Sequence, residues 1–454
     1  MIMSYEEGIV KMKWSRYNLL FESKKSGWLL YNSASNSFVQ MNKESADSMK
    51  EIIENPDMDF SNMPDMYFKL RLGGFLVDDG QDDAFVRILK MKRNVANYSS
   101  NILSLTIAPT KECNFDCYYC YEKNRNKSIL SDENENNLIK FIKNHKLVNK
   151  LYIVWYGGEP LLKFEAIKSI SAKIANLGIE FSADLVTNGY LLSESVIKEL
   201  NNLKITSIQI TIDGSKKTHN RRRPLIGGDA TYDVIVENIN KLMSSHWSGK
   251  LKLRVNVDIS NSKEFVDVYQ HFKNKFSQEF EKRLFVYPGF VHDSLNEDRG
   301  CHFDSKNKGK FIYELAQDHG INALEIFPKR KIGSCALNVK NAYVVGPDGE
   351  LYKCWNDLGV ESEVVGSING LTKWNTSLIA EGMVDCSFLE SEICRNCFYL
   401  PICDGGCPKL RMYSTRDKVE RNSCTYFKSY IKELLEFHYN NSSKNCNDSK
   451  QQII

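Results

Sequence analysis

Three cysteines fall within eight residues at Cys113-Asn-Phe-Asp-Cys117-Tyr-Tyr-Cys120, directly after the apolar run Ile102 to Ala108. A strand that empties into a short loop brings such thiols to one point. Three thiolates bind three corners of a cubane iron–sulfur cluster and leave the fourth iron without a protein ligand, free to take an external one. The same spacing also suits half of a zinc site or part of a closed cluster. A second apolar run ends at Gly157-Gly158-Glu159-Pro160. Paired glycines allow close backbone approach, so this segment can present main-chain oxygens to a charged ammonium, with Glu159 orienting the loop.

A second concentration of sulfur lies near the other end. Cys335 is followed by thirteen residues, Gly349, four more residues and Cys354; then come Cys394-x2-Cys397-x5-Cys403-x3-Cys407, and Cys424 after sixteen more. Any tetrad of these thiols has ligands suited to zinc. Gly405 and Gly406 allow a tight turn between ligands, which Pro408 stiffens.

The CxxxCxxC spacing followed by GGEP resembles the radical S-adenosylmethionine superfamily. The resemblance implies that the vacant iron at Cys113, Cys117 and Cys120 binds the amino and carboxyl groups of S-adenosylmethionine. Reductive cleavage of that cofactor gives methionine and a 5′-deoxyadenosyl radical that abstracts a substrate hydrogen. Gly157, Gly158, Glu159 and Pro160 would hold the cofactor's amino group. Thr187 and Asn188 at the end of one strand, and Asp213 at the end of the next, would lie beside its ribose and carboxylate. The stretch His219-Asn220-Arg221-Arg222-Arg223 resembles the family's His-Asp plus arginine loop but has Asn220 where aspartate is usual, which puts the loop's internal salt bridge in doubt. Its arginines are either solvated surface or, with Arg223 the candidate, a site for the cofactor carboxylate or an acidic leader peptide. Tyr118 would shield the cluster or stack near adenine. Asn256 and Gln209 are polar residues in apolar strands and need partners to offset desolvation, whether from the cofactor or from the interior. Asp213 and Asp404 are candidates for a catalytic acid or base by position.

The seven-cysteine order at the other end resembles the twin-cluster domain called SPASM. Carried over residue by residue, Cys394, Cys397, Cys403 and Cys424 would close an outer auxiliary [4Fe–4S] cluster. Cys335, Cys354 and Cys407 would hold an inner one, giving three [4Fe–4S] clusters with the first. Residues 336–353 lack the extra cysteine of the sulfatase-maturase pattern. The inner cluster's fourth iron is therefore left to Cys386, to Cys301 or to an outside group; both thiols serve equally well as small buried hydrophobes.

The elements that would position these residues follow the rhythm of βα units: apolar runs of five to eight residues separated by amphipathic helical patterns. Strands are expected at Ile102 to Ala108, Leu151 to Tyr156, Phe181 to Thr187, Ile205 to Ile212, Leu251 to Ile259 and Leu284 to Tyr287. Helices are expected at Asp132 to His145, Phe164 to Leu177, Ser193 to Leu200, Tyr232 to Met243 and Glu264 to Phe272. The fold class is α/β, a partial (β/α)6 barrel over residues 93–328, and ligands gather at the C-terminal ends of such strands. Residues 1–92 read as an α+β unit, with a hairpin around Ser23 to Gly27, a helix from Lys43 capped by Asn42, and a polar exit from Asp78 to Asp83. This unit is either a packing extension or a peptide-docking module, and it is similar to the winged-helix precursor-recognition elements of ribosomal-peptide maturases. Residues 329–439 are the cysteine-rich iron–sulfur domain, closed by a helix from Tyr426 to Tyr439. The Asn/Ser/Lys-rich residues 440–454, including Cys446, are expected to be disordered and to supply no ligand.

Composition narrows the function. With 454 residues there is material for two or three domains, and 60 basic against 57 acidic residues leave a net charge of only +3. No long basic block favours nucleic acid, and no run reaches the roughly eighteen apolar residues of a membrane span. The segment Met1 to Trp14 carries Glu6 and Glu7 and no signal-peptide core. Thirteen cysteines in such a chain read as cytoplasmic metal ligands rather than secreted disulfides. The resemblances together imply a maturase that crosslinks a ribosomally made precursor peptide with a leader sequence through a thioether, carbon–carbon or ether bond, served by a flavodoxin or ferredoxin-like electron donor. The alternatives are a formylglycine-forming sulfatase maturase and a non-catalytic iron–sulfur sensor or scaffold.

Overall fold

A computed structural model describes residues 11–445 apart from 59–60, 123–125, 292–302, 334, 420 and 422, with side chains described up to residue 442. Cys301 and Cys446 lie outside these residues. The chain forms two compact units. One contains Met1–Ala96, Asp304–Ser334 and Cys386–Ile454; the other contains Asn97–Phe303 and Cys335–Asp385. No helix among the described residues is long and apolar enough to cross a membrane.

The first unit starts with strands β1 (Met12–Trp14), β2 (Asn18–Ser23), β3 (Gly27–Asn32), β4 (Phe38–Met41) and β5 (Leu76–Asp78). β2, β3 and β4 make an antiparallel sheet, and β1 pairs with β5. The hairpin forms where Gly27 takes a left-handed φ of 69°. Asn42 caps the helix Lys43–Glu54, its side chain accepting from the Ser45 amide at 2.8 Å. That helix buries Met49 and Ile52 against Leu30, Leu70, Phe75 and Leu76. The expected polar exit is instead the start of the helix Gln81–Asn97. Asp82 and Asp83 suit its positive N-terminal end, and Val86 and Leu89 join Tyr17, Phe388, Leu389 and Leu400 in a second core. The closing helix spans Phe427–Asn445, is interrupted at Tyr430, and runs past residue 440 where disorder is expected. Side-chain contacts anchor that polar stretch: Tyr439 donates to Gln40 at 2.5 Å and Ser26 to Asn440 at 2.6 Å.

The second unit carries the parallel strands β6 (Ile102–Ile107), β7 (Lys150–Trp155), β8 (Glu180–Thr187), β9 (Ile205–Ile212), β10 (Lys250–Val257) and β11 (Leu284–Phe290) in spatial as well as chain order. Helices Asp132–Asn144, Phe164–Ala175, Glu194–Glu199, Tyr232–Met243 and Glu264–Lys275 connect them, close to the expected bounds. Alternate strand residues such as Leu103, Leu105, Ile107, Leu151, Ile153 and Trp155 are buried, the period-two pattern of strands that turn one face into the core. The sheet continues beyond β6. Strand β12 (Ala342–Val345) pairs with it in parallel, followed by antiparallel β13 (Glu350–Tyr352) and β14 (Gly366–Ser367), making nine strands with β11 and β14 at the ends. The sheet is therefore an open partial barrel whose far edge is built from the cysteine-rich region.

Candidate active site

The loop bearing Cys113, Cys117 and Cys120 leaves β6 and is held from two sides. Glu159 N–H donates to the Glu112 carbonyl at 2.8 Å and Gly158 N–H to that of Thr110 at 3.2 Å. Gly157 has a φ of 120°, and a Cβ there would stand 2.4 Å from the Thr110 carbonyl oxygen. At Gly158 it would stand 2.1 Å from that of Glu112. The glycine pair is thus a docking surface for the cysteine loop as well as a lining of the site. On the other side Phe115 bridges to Leu225, the Asp116 amide donates to the Pro224 carbonyl at 2.9 Å, and that of Ile226 to the Asn114 carbonyl at 2.9 Å.

A cavity of about 760 Å³ opens at the C-terminal ends of the strands, and Cys113, Cys117 and Cys120 all line it. So do Gly157, Gly158, Thr187, Asn188, Gln209, Arg223 and Asn256. Glu159 lies beneath, fully buried. Its carboxylate accepts from Thr187 Oγ1 at 2.7 Å and from the amides of Asn188 and Leu161 at 2.7 and 3.0 Å. Burial pushes its pKa up, and these three donors pull against that shift. Glu159 therefore fastens the β8 end to the Gly-Gly turn, while Pro160 is buried at the start of a 3₁₀ turn. Asn188 reaches back to Asn114 at 2.8 Å, tying β8 to the cysteine loop.

Two neighbouring tyrosines divide their roles. Tyr118, the residue expected near the cofactor, is 43% exposed and donates to Asp258 at 3.0 Å; it does not line the cavity. Tyr119 does, and its hydroxyl meets Arg223 Nη1 at 2.6 Å and Asn256 Nδ2 at 3.0 Å. The two rings meet edge to face at 5.1 Å, yet only the second borders the cavity, which spacing does not reveal. Arg254, Thr211, Phe290 and Trp355 are among the lining residues that sequence reading missed. The one available signal was Arg254, two positions before Asn256 on one strand face, whose Nε donates to Asn256 Oδ1 at 2.7 Å.

Of the arginine run only Arg221 is solvated surface. Residues Lys216–Arg222 form a short helix, and Arg222 and Arg223 are 3% and 8% exposed. Arg222 Nε bonds Asp213 at 2.9 Å and its Nη1 bonds Asp258 at 2.8 Å. The salt bridge in doubt at Asn220 is thus made by aspartates from two strand ends. Asn220 instead accepts the amides of Thr231 and Tyr232 at 3.0 and 2.9 Å, where the next helix begins. Asp213, a candidate acid or base, is fully buried in this pair and does not line the cavity. His219 accepts the Asp213 amide at Nδ1; burial, then Arg223 and Arg222, hold its pKa well below the usual range, so the ring is neutral. Arg222→Met removes the cation shared by two buried carboxylates, leaving Asp213 only the more distant Arg223 at 4.0 Å and Asp258 only neutral donors, and is expected to cost about 3–5 kcal/mol, read as the change in urea midpoint.

Burial pushes the thiols up, Cys113 to about 12 and Cys120 to about 11; a bound metal's positive charge would hold them as thiolates. Among the described residues, no three His, Cys, Asp or Glu side chains are drawn together as ligands of one metal ion would be. A cluster asks for something else: each cysteine meets its own iron, and thiols ringing one cavity fit that demand.

Of the second set, Cys335 and Cys354 belong to the barrel unit, and Cys394, Cys397, Cys403, Cys407, Cys424 and the buried Cys386 to the other. Lys353 ties the strand before Cys354 to the Ala342 carbonyl at 2.7 Å. Pro408 opens a helix directly after Cys407. A Cβ on Gly406 would fall 1.8 Å from the Ser423 carbonyl oxygen, so this glycine lets the chain pass beside Cys424. Asp404 is exposed and accepts the Gly406 amide at 3.4 Å.

A family model described as the radical SAM superfamily matches residues 107–271. The cysteine-type anaerobic sulfatase-maturating enzyme of Clostridium perfringens (strain 13 / Type A) is 28% identical over 377 residues, covering 74% of this chain and 96% of its own length. The radical SAM cyclopropyl synthase TigE of Paramaledivibacter caminithermalis is 24% identical over 445 residues, 87% of each chain. Among solved structures, native anSMEcpe with bound AdoMet and Kp18Cys peptide matches with a TM-score of 0.58 at 23% identity, over 76% of this chain and 99% of that one, a likeness of fold.

Proposed function

The chain belongs to the radical SAM superfamily, enzymes that bind S-adenosylmethionine at an iron–sulfur cluster, and from that premise we propose that it matures a ribosomally made precursor peptide by forming an intramolecular crosslink. When bound, the cluster and S-adenosylmethionine supply a reducing electron and a carbon radical able to take a hydrogen from the substrate. The protein's residues do the rest. Cys113, Cys117 and Cys120 would hold three corners of the cluster, and Gly157 and Gly158 would let backbone approach the cofactor's ammonium. Thr187, Asn188, Gln209, Arg223 and Asn256 are the polar lining available for its ribose and carboxylate, with Tyr119 and Arg254 added by the structure. Cys394, Cys397, Cys403 and Cys424, and separately Cys335, Cys354 and Cys407, would hold two auxiliary [4Fe–4S] clusters. A flavodoxin or ferredoxin-like donor in the cytoplasm would supply the electron.

The observation that carries the peptide reading is the edge of β4. This strand pairs only with β3 among the described strands, and a cavity of about 930 Å³ lies along it, lined by Phe38, Met41, Met49, Leu70, Phe327 and Tyr439. An extended leader segment can add as a further strand there, with apolar side chains in the cavity. The relative TigE, matched over 87% of this chain, supports a reaction beyond sulfatase maturation. The second reading, sulfatase maturation, is favoured by the likeness to the Clostridium perfringens enzyme.

One assay separates them. Reconstituted enzyme, reductant and S-adenosylmethionine are incubated anaerobically with a precursor peptide encoded beside the gene, or with a sulfatase-derived cysteine or serine peptide. We expect the precursor to lose two hydrogens, with the new bond mapped by fragmentation, and no hydrazine-reactive aldehyde. An aldehyde on the sulfatase peptide, with the precursor untouched, would favour the second reading. An unchanged precursor mass with an inverted stereocentre would replace crosslinking by epimerisation.

A further inference from the structure

Within the unit that holds Cys394, Cys397, Cys403 and Cys424, three cations converge on the sulfurs. Arg411 Nη2 lies 3.6 Å from Cys394 Sγ, and Lys428 Nζ lies 3.6 Å from Cys424 Sγ. Arg93, on the helix Gln81–Asn97, lies within electrostatic reach of Asp404 and Cys403. Its guanidinium stacks 4.8 Å over the Phe388 ring, while that of Arg411 approaches the same ring at 5.9 Å. Arg93 is 6% exposed, yet its Nη1 has no hydrogen-bond partner. A buried guanidinium left short of an acceptor is costly, and one held in the same unit as a thiolate cluster can be offset by the cluster's negative charge.

We propose that Arg93, Arg411 and Lys428 form a cationic shell around an iron–sulfur cluster on these four cysteines and raise its reduction potential. The inference rests on the four-cysteine ligand set proposed above. One-electron reduction makes a tetrathiolate cluster more negative by one charge, so fixed cations and N–H donors to its sulfurs favour the reduced form. Arg93 should contribute most, because it is buried where solvent screens least; Lys428 is exposed and should contribute least. Asp404, beside Cys403, opposes them. The N-terminal region thereby supplies a residue that tunes a C-terminal redox centre, a positioning role separate from peptide docking.

The test is a potentiometric titration of full-length, anaerobically reconstituted protein followed by electron paramagnetic resonance, with iron content measured alongside. The signal and the iron lost in Cys397→Ala identify the cluster. In Arg93→Gln the reduced-to-oxidised ratio of that signal at a fixed potential should fall about tenfold, equivalent to about 59 mV for one electron. In Lys428→Gln it should fall about threefold, the smaller change expected of a solvated charge. Arg93→Lys, which keeps the charge, should stay within about twofold of wild type. Lys428→Gln lies on the surface and decides alone if Arg93→Gln fails to fold. Wild-type ratios in both Gln variants, with iron intact, would overturn the cationic shell and leave the ligand set standing. If Cys397→Ala loses neither iron nor signal, the ligand set falls and the shell falls with it.

Discussion

Cys113→Ala should stop 5′-deoxyadenosine formation, by at least about a thousandfold, the scale on which losing one member of a catalytic unit acts. Cys113 opens the loop, and its sulfur accepts the Phe115 amide at 3.4 Å, so its loss removes both a ligand and a local anchor. Cys397→Ala serves as the control. Cys397 belongs to the other unit, so this variant should keep measurable cofactor cleavage while failing to convert peptide. Anaerobic incubation with dithionite and S-adenosylmethionine, followed by chromatography of the nucleoside product, reads both variants. Equal cleavage by Cys113→Ala and wild type would remove the cysteine loop from the chemistry.

Gly158→Ala should be nearly as damaging by a different route. The added methyl would sit 2.1 Å from the Glu112 carbonyl oxygen and 2.8 Å from that of Lys111, and both are backbone atoms of the cysteine loop. Unlike Gly157, this residue has no left-handed backbone, so the substitution tests crowding alone. Overpacking of this kind costs about 1–3 kcal/mol, and the loop must move away from the turn. A shift near 1 Å at a reacting centre lowers rate by about a hundredfold. The expected result is a protein that folds with a lowered melting temperature and loses most cofactor cleavage. Full wild-type activity would show that the Gly-Gly turn does not set the position of the cysteines.

Much of the barrel was legible because its strands carry a buried apolar residue at nearly every second position, as at Leu103, Leu105 and Ile107, and each chemical motif sits where such a run stops. The Asn42 cap and the Gly27 turn were equally plain, since each uses a residue whose side chain or backbone suits only a few conformations. The arginine stretch was not. Its partners, Asp213 and Asp258, come from the ends of β9 and β10, and no local pattern distinguishes a buried guanidinium from a hydrated one. The helix Gln81–Asn97 was hidden for a related reason: its first turn is polar, and only the core formed with Phe388 and Leu400 shows why the pattern continues. The choice of Tyr119 over Tyr118 depends on which way one loop residue turns, which spacing leaves open.

The pairing of β12 with β6 has a consequence for how the molecule can be taken apart. Six parallel strands alone would leave β6 as a terminal strand, with the main-chain groups of Ser104 to Ile107 open to any passing chain, in the very strand that feeds the first cysteine loop. Here those groups are sealed by residues 342–345, which lie between Cys335 and Cys354. Truncation before residue 341 would strip that cover and leave a self-adhesive margin. The radical-forming half is therefore not a freestanding cassette, and the polypeptide that carries the later cysteines is also what keeps the earlier ones from aggregating.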